Sequence, residues 1–476
     1  MPILTPSRRW QPPYYPYKKR TPIERFEDAL ERAFKGLIWG CRMCGNCLLQ
    51  ETAFICPMAC PKGYRNGPCG GSTPEHCCVD DSRPCIWYAI YQRAEKMGRL
   101  EMLLEVFPPL DWDKTGTSAL MDVYKNLNDF GKRKAFSTIL RSSPDERKTK
   151  WNQFFKEIRQ PTWWNGDAEP HPPKPHEPVS KLESLLSKGE FVLTAEIVPP
   201  AGEDFEKFDT RLNGLKDLVH AVNITDNASA SSRISAFVCS QRALAHGIEP
   251  ILQITTRDRN RLNLQAGLIG ASAAGIRNLL LITGDHPNNG CPPFSHMDAW
   301  DLDSIQAVWI ARKLRDDGIF LDGRMASPSP KYFIGSAAAP FASEPRFQAL
   351  RAEKKINAGA QFLQTNLIFD LSRFEAYLEE LSKRNLLNQI NLLAGIAPIR
   401  TLAAAKYLRQ LPGIFIPDSI MQRLADTDNP EIEALKICLE LIEGVRNLPG
   451  VRGLHFMAIN SVNHLKKVLY ESGLHT

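Results

Sequence analysis

The chain has 476 residues, of which 43% are hydrophobic and 24% charged, and its formal net charge is +6. The length predicts two or three domains, and so mild a positive charge argues against a nucleic-acid-binding protein. No apolar run is long enough to span a membrane, and the N-terminus lacks the apolar core of a signal peptide. We therefore expect a cytoplasmic protein whose many cysteines are kept reduced.

The N-terminal region is predicted to begin with a helix that starts after Thr21. The sequence T-P-I-E supplies an N-cap, a proline at the first helical position and the capping-box residue Glu24. A second helix is predicted from Cys85 to Pro108, and shorter helices around 115–128 and 145–158. The proline-rich stretch 159–180 is typical of a stiff linker. The predicted domains are therefore 1–158 and 181–476, joined by residues 159–180.

Nine of the twelve cysteines lie in one short stretch that opens C-x2-C-x2-C. This spacing is typical of ferredoxin cluster ligands, and Cys56 and Cys60 are each followed by proline, as a remote cluster ligand often is. It predicts a [4Fe-4S] cluster bound by Cys41, Cys44, Cys47 and one of Cys56 or Cys60. A disulfide-stapled domain is disfavoured because the count is odd and no secretory signal precedes it.

The later cysteines of the stretch are predicted to form a second metal site, either a cluster or zinc. Its candidate ligands, with Cys77 and Cys78 as alternatives, are Cys69, Cys77, Cys78 and Cys85. Zinc prefers paired C-x2-C knuckles and a tetrahedral cage. A purely structural, zinc-stapled region nevertheless stays open as the alternative to the iron–sulfur prediction.

The second domain alternates short apolar runs with amphipathic helical stretches. Eight strands are predicted, at 191–198, 218–225, 250–256, 278–284, 332–338, 362–369, 390–397 and 453–459. They lack strict apolar–polar alternation, as expected of parallel strands buried on both faces. Eight such units in about 290 residues favour an α/β fold of the (β/α)8 TIM-barrel class. A doubly wound sheet is disfavoured because no G-x-G-x-x-G motif follows a strand.

In such a barrel the catalytic groups lie at the C-terminal ends of the strands. Glu196 stands in the apolar strand TAEIVPP, where burial would raise its pKa and suit it to general-acid catalysis. The alternative is an interior carboxylate paired with Lys or Arg for stability. Asp285 follows Gly284 and is either a site residue or a turn residue. The other polar residues at strand ends are Thr225, Asp226, Gln253, Thr255, Thr283, Thr365 and Asn366.

Five motifs, in this order, resemble methylenetetrahydrofolate reductase across about 185–470: TAEIVPP, NITDNASAS, LLLITGDHP, KKINAGA with FLQTN, and HFMAIN. The cysteine stretch, with CRMCGNC and CPMACPKGYRNGPCGG, is similar to the cysteine-rich companion protein of that reductase in anaerobic bacteria. The resemblance implies a flavin, FAD or FMN, at the barrel mouth and reduction of 5,10-methylenetetrahydrofolate to 5-methyltetrahydrofolate.

The resemblance also assigns roles to single residues. Glu196 matches the acid that protonates the folate nitrogen, and Asp285 the aspartate near flavin and pterin that stabilises the iminium cation. Asn366 takes the place of a pterin-contacting glutamine. The positions that the family uses to hold flavin are Thr225, Asp226, Gln253, Thr283, Gly284, Asp285, Trp300, Asp301 and Lys355. For Lys355 the alternative is a solvated helix face.

The chain departs from the family pattern at several positions. Thr283 replaces the arginine that commonly precedes the Gly-Asp of the family, and Gln253 replaces the usual flavin-contacting histidine. Met457 and Ser461 replace a tyrosine and an arginine that bind folate in many relatives. The nicotinamide-stacking aromatic of NADH-using relatives falls near Leu402. These changes leave the flavin type open and disfavour direct NAD(P)H use.

Together these features predict a reductase that receives electrons through its iron–sulfur region from ferredoxin or another electron-transfer protein. A homo-oligomer or a larger complex is compatible with the sequence. The alternative from another class is a non-catalytic scaffold that binds a methyltransferase or corrinoid protein.

Overall fold

The structure is a computed structural model, and it describes residues 21–127, 130–287, 300–457 and 461–474. The chain divides into two compact units. One comprises residues 1–67 with 86–167, and the other comprises residues 68–85 with 168–476. The cysteine stretch is therefore shared, because Cys69 to Cys85 belong to the same unit as the barrel. Among the described residues, no helix has both the length and the hydropathy needed to cross a membrane.

The first unit is helical. Its helices are α1 (Pro22–Trp39), α2 (Ile86–Lys96), α3 (Ala119–Leu127), α4 (Phe130–Arg141) and α5 (Pro144–Arg159), with a 3-10 turn at Leu100–Leu104. α1 begins as predicted: the Thr21 side chain accepts from the Glu24 N–H, and Glu24 accepts from the Thr21 N–H. The second predicted helix is shorter than expected, because Gly98 adopts a φ of +62° just after α2 ends.

The second unit contains a closed barrel of eight parallel strands in sequence order. The strands are β1 (Val192–Ile197), β2 (Ala221–Ile224), β3 (Pro250–Thr255), β4 (Asn278–Ile282), β5 (Phe333–Ala338), β6 (Phe362–Leu367), β7 (Asn391–Ile396) and β8 (Val451–Phe456). β8 pairs with β1 and closes the ring. The (β/α)8 fold and all eight predicted strands are confirmed.

Helices follow the strands as expected of this fold. They are α6 (Lys181–Ser187), α7 (Glu206–Leu215), α8 (Ala236–Ala245), α9 (Arg261–Ala273), α10 (Ser304–Asp317), α11 (Pro345–Ala358), α12 (Leu371–Lys383), α13 (Leu402–Arg409), α14 (Asp418–Ala425), α15 (Pro430–Arg446) and α16 (Val462–Glu471). α6 precedes β1, and its Leu182 and Leu186 pack against Val192 and the other apolar side chains at the N-terminal end of the strands. That end of the barrel is therefore filled with apolar side chains, and polar groups are left to the opposite end.

Candidate functional site

The barrel interior becomes polar above this apolar layer. Thr194 Oγ1 lies 2.9 Å from His455 Nδ1, and the Asn223 and Gln364 side-chain amides bond each other at 2.6 and 3.2 Å. Burial lowers the pKa of His455 to about 3, so its imidazole is neutral. This polar layer was not predicted, although polar residues within otherwise apolar strands were visible in the sequence. It lies directly below Glu196, which is nearer the C-terminal mouth.

Glu196 lies two residues beyond Thr194 on β1 and therefore on the same inward face. Gln253 Nε2 on β3 donates a long hydrogen bond, 3.4 Å, to Glu196 Oε2. Burial is the main cause that raises the pKa of Glu196 to about 7. The hydrogen bond from Gln253 lowers this pKa, and the negative charge of the nearby Asp285 raises it. The carboxyl is thus protonated near neutral pH, as a general acid must be.

Asp285 lies in the loop after β4, and its exposed carboxylate accepts a 3.0 Å hydrogen bond from the Ser229 N–H. Ser229 belongs to the loop after β2, where Asn227, Ser229 and Ala230 have φ of 49°, 54° and 53°. Such left-handed non-glycine residues are strained and cluster at functional sites. The loop after β2 is therefore held against Asp285, one of the two predicted catalytic carboxylates.

Asp226 and Asp301, predicted to hold flavin, are each bound to an arginine. Asp226 Oδ2 lies 2.5 Å from Arg259 Nη1 and also accepts from the Thr255 N–H at 2.9 Å. Asp301 accepts from the Arg261 guanidinium at two oxygens, 2.5 and 2.8 Å away. The arginines were not predicted, yet the run TTRDRNR directly after β3 was a visible signal.

Arg257, the first arginine of that run, is buried. It contacts the loops after β2 and β4 from its own loop after β3. Its guanidinium donates to the Asn227 and Asp285 carbonyls, each at 3.2 Å. Its own N–H donates to the Thr283 carbonyl at 3.1 Å. Gly284 follows with a φ of +86°, and a Cβ there would lie 3.1 Å from Thr255 and 3.3 Å from Arg257. A glycine is therefore required where the β4 loop passes these two residues.

Two polar groups near the barrel mouth have no hydrogen-bond partner in the part of the chain that the structure describes, and they could bond a polar ligand. Among the described residues, the buried Thr225 hydroxyl and the buried Arg351 Nε have no hydrogen-bond partner. Lys355 is only 3% exposed, so it is no solvated face, and its Nζ donates to the Ala337 carbonyl at the end of β5. Burial, and next the Arg351 cation, hold the pKa of Lys355 well below its ordinary value. These groups fit a flavin: a hydroxyl for its ring, and the Arg351 guanidinium and the Lys355 nitrogen as donors to its phosphate.

The remaining predicted residues lie at the same end of the barrel. Trp300 is buried with its ring edge-on to His286, at a centroid distance of 5.6 Å. Asn366, at the end of β6, donates from Nδ2 to the Gly413 carbonyl at 3.3 Å. Thr365 accepts from the Gly395 N–H at 2.9 Å.

The first unit contains a separate pocket of about 380 Å³ that four thiols line. Of the described cysteines, Cys41, Cys44, Cys47 and Cys56 line it, whereas Cys60 does not. Among described residues, no three Cys, His, Asp or Glu side chains are close enough together to hold a metal ion. The four thiols therefore line a pocket and do not converge on one point, and the predicted cluster stays a prediction.

The pocket also holds two buried cations. Burial opposes the charge of Lys35, but Cys47 and Glu31 outweigh it and raise the Lys35 pKa. Arg65 is fixed by the Asn46 and Pro108 carbonyls, both 2.8 Å away. Two cations therefore lie beside the four thiols, and burial raises the pKa of the Cys41 thiol to about 11.

The turn between Cys44 and Cys47 is fixed by backbone geometry. Gly45 has a φ of +71°, and a Cβ there would lie 2.1 Å from the Lys114 carbonyl. The Met43 N–H donates to Cys41 Sγ at 3.4 Å, which is the type of bond that stabilises a thiolate. The glycine of CRMCGNC is therefore needed to bring the thiols around the pocket.

The later cysteines are brought together only in part. In the barrel unit Cys69 Sγ lies 3.1 Å from Cys78 Sγ and 3.1 Å from Ser72 Oγ. Cys77 and Cys85 are buried. A four-thiol second site stays a prediction.

Family models match both parts of the chain. Residues 181–473 match the model described as "Methylenetetrahydrofolate reductase". The chain belongs to the methylenetetrahydrofolate reductase family. Residues 23–113 match a second model, described as "Methylene-tetrahydrofolate reductase C terminal". The family predicted from the barrel motifs is therefore confirmed.

Three comparisons show how far this similarity extends. "Methylenetetrahydrofolate reductase 2" of Schizosaccharomyces pombe is 26% identical over 52% of this chain and 40% of its own length. The "5,10-methylenetetrahydrofolate reductase" of Pectobacterium carotovorum is 22% identical over 57% of this chain and 87% of its own. A solved structure titled "Uncharacterized protein from Clostridium thermocellum binds two copies of 5-methyl-5,6,7,8-tetrahydrofolic acid" is 16% identical over 62% of this chain and 98% of its own, with a TM-score of 0.44. The chain thus spans less than half the length of the yeast relative.

Proposed function

We propose that the chain reduces 5,10-methylenetetrahydrofolate to 5-methyltetrahydrofolate at the barrel mouth, with electrons supplied through the cysteine region. The observation that carries this proposal is Glu196, an inward-facing carboxyl with a pKa of about 7 beside Asp285. Family membership supports the choice of reaction, and the groups around Thr225 and Lys355 suit a flavin. A bound flavin would supply the hydride.

Glu196 acts as the general acid in the proposed reaction. Its proton goes to the folate amine nitrogen, which opens the five-membered ring and leaves a 5-iminium cation as hydride acceptor. Gln253 orients the carboxyl through its hydrogen bond. Asp285, exposed at the mouth, faces the growing positive charge and stabilises it. The Ser229 N–H holds Asp285 in place for this role.

The electron supply is proposed to run through a [4Fe-4S] cluster in the pocket of the first unit. Cys41, Cys44, Cys47 and Cys56 would be its ligands, and Lys35 beside them would offset their charge. A ferredoxin or a similar electron-transfer protein is the proposed donor, because Leu402 stands near the position of the nicotinamide-stacking aromatic. Zinc in this pocket would instead favour a structural role for the region.

The deciding experiment is a spectrum followed by a single turnover. Anaerobically purified protein should show a flavin band, broad absorption near 400 nm from iron–sulfur, and at least four irons per chain if the cluster is a cubane. After photoreduction, addition of methylenetetrahydrofolate should reoxidise the flavin and yield methyltetrahydrofolate. A chain that binds no flavin and turns over no folate would refute the reductase proposal and favour the scaffold alternative.

A further inference from the structure

Helix α1 has a buried polar side and an exposed apolar side. A helix on a protein surface ordinarily packs its apolar stripe against the core. In α1 the buried residues are instead Glu31 and Lys35, which bond each other and line the pocket of the first unit. On the same side, Asp28 accepts a 2.7 Å hydrogen bond from the Ser118 N–H. The polar side of α1 is thus bonded to the rest of the chain, while its apolar side faces solvent.

The apolar side of α1 consists of six large side chains, each between 52% and 85% exposed. They are Ile23, Phe26, Leu30, Phe34, Leu37 and Ile38. Together they expose about 700 Å², if a side chain of this size exposes roughly 150–250 Å² when fully open. The largest apolar patch on a typical monomer covers roughly 300–600 Å², so this stripe has the size of an interaction site.

The order of these side chains is symmetric about Leu30. Ile23, Leu30 and Leu37 are spaced by seven residues and form one line along the helix. Phe26 and Phe34 stand four residues before and after Leu30, one on each side of this line. In an antiparallel pair with its two-fold axis at Leu30, Ile23 of each copy meets Leu37 of the other, and Phe26 stands level with Phe34. A two-fold dimer requires such a self-complementary surface.

The other exposed residues of α1 are compatible with this pairing. Arg25 and Arg32 lie on the side of the helix opposite Leu30, so they stay in water when the stripe is covered. Ala33 is exposed beside the stripe, and its small side chain leaves room for Phe26 of the second copy. No charge of these arginines therefore has to be buried in the pair.

We propose that two copies of the chain associate through α1, antiparallel and with the two-fold axis at Leu30. The inference goes beyond the proposed function, since no step of the reduction depends on it. The stripe of about 700 Å² is close to the roughly 800 Å² that each partner contributes to a stable interface. Because the inner side of α1 lines the pocket of four thiols, the second copy covers the outer side of that pocket wall.

The first test is the mass of the full-length protein in sedimentation velocity, with and without Leu30→Asp. The change places two carboxylates at the two-fold axis, and the dimer dissociation constant should rise by roughly 30-fold or more. The assembly should then lose half of its mass. Because Leu30 is exposed in the single chain, the variant should still fold. Leu262→Asp, at a residue of α9 that is 70% exposed, is the matched control and should leave the mass unchanged.

The second test is specific for the antiparallel arrangement. Phe26→Asp/Phe34→Asp places like charges at both level positions, whereas Phe26→Lys/Phe34→Asp places opposite charges there. The second variant should therefore associate at least roughly tenfold more tightly than the first. In a parallel pair each position would meet its own copy, so both variants would repel.

Three results would overturn the proposal. One is an unaltered protein that stays monomeric at micromolar concentration, which would leave the stripe to a different protein. Another is an assembly whose mass Leu30→Asp does not change, which would place the contact between copies elsewhere. The third is equal association of the two charged double variants.

Discussion

Glu196→Gln tests the acid at the barrel mouth. Glutamine keeps the shape of the side chain and can still bond Gln253, but it has no proton to give. In the proposed reaction, reoxidation of the reduced flavin by methylenetetrahydrofolate should slow by roughly 100- to 10,000-fold. That loss corresponds to about 3–5 kcal/mol in the barrier. Flavin content and reduction by an artificial donor should be unchanged, because neither involves this proton.

The same substitution should stabilise the protein above neutral pH. The Glu196 pKa is about 7 in the folded chain against 4.5 ordinarily. Between these values the unfolded chain is ionised while the folded chain is protonated, so stability falls as pH rises. The accumulated penalty reaches about 3 kcal/mol above pH 7 at 1.36 kcal/mol per unit, and less where water screens the half-buried carboxyl. Glu196→Gln removes this penalty, so its advantage should be greater at pH 8.5 than at pH 4.

Stopped-flow reoxidation and thermal melts at these two pH values measure both effects. Glu190→Gln, the same change at an exposed carboxylate just before β1, is the matched control and should alter neither. In the unaltered protein the reoxidation rate should fall as pH rises through about 7, since only the protonated carboxyl donates. A variant that keeps its flavin and reoxidises at the original rate would show that Glu196 is structural.

Three further predictions concern the cofactor groups. Lys355→Ala should lower flavin occupancy without unfolding the barrel, because it removes a phosphate partner; unchanged flavin content and melting temperature, as in the exposed control Lys188→Ala, would contradict this. Cys56→Ala should lose iron from the pocket of the first unit, whereas Cys60→Ala should keep it, and the reverse result by iron analysis would reassign the fourth ligand. Asp226→Asn should lower the melting temperature by leaving Arg259 without its charge partner, a loss of roughly 3–5 kcal/mol, and no change in a thermal melt would count against that ion pair.

The strands could be predicted from the sequence because their burial is a local property of the pattern. β1, β3, β5 and β6 are buried at nearly every position, as strands of a parallel barrel are. The inward-facing carboxyl at the mouth was also predictable, since Glu196 stands in an apolar strand, while its role as an acid stays a prediction. In each case the residues that support the prediction lie within about eight positions of one another in the sequence.

The partners of the site residues were not predictable in the same way. Asp226 was expected at a cofactor, but a contact with Arg259 joins two different loops and leaves no periodic signal. α4 was not predicted: four of its twelve residues are charged, and three of these stand together near its start. The membership of residues 68–85 in the barrel unit depends on Gly70 and Gly71, whose contacts lie more than 250 residues away.

The arginines that follow β3 bind other carboxylates at the mouth. Arg257, Arg259 and Arg261 pair with Asp258, Asp226 and Asp301. The charged neighbour that acts most on Glu196 is instead the carboxylate of Asp285, and like charge adds to burial in keeping the proton on Glu196. In the proposed reaction that proton leaves when the substrate gains positive charge beside Asp285. The three arginines that follow β3 thus pair with other carboxylates, and in the proposed reaction Glu196 is left as the acid beside Asp285.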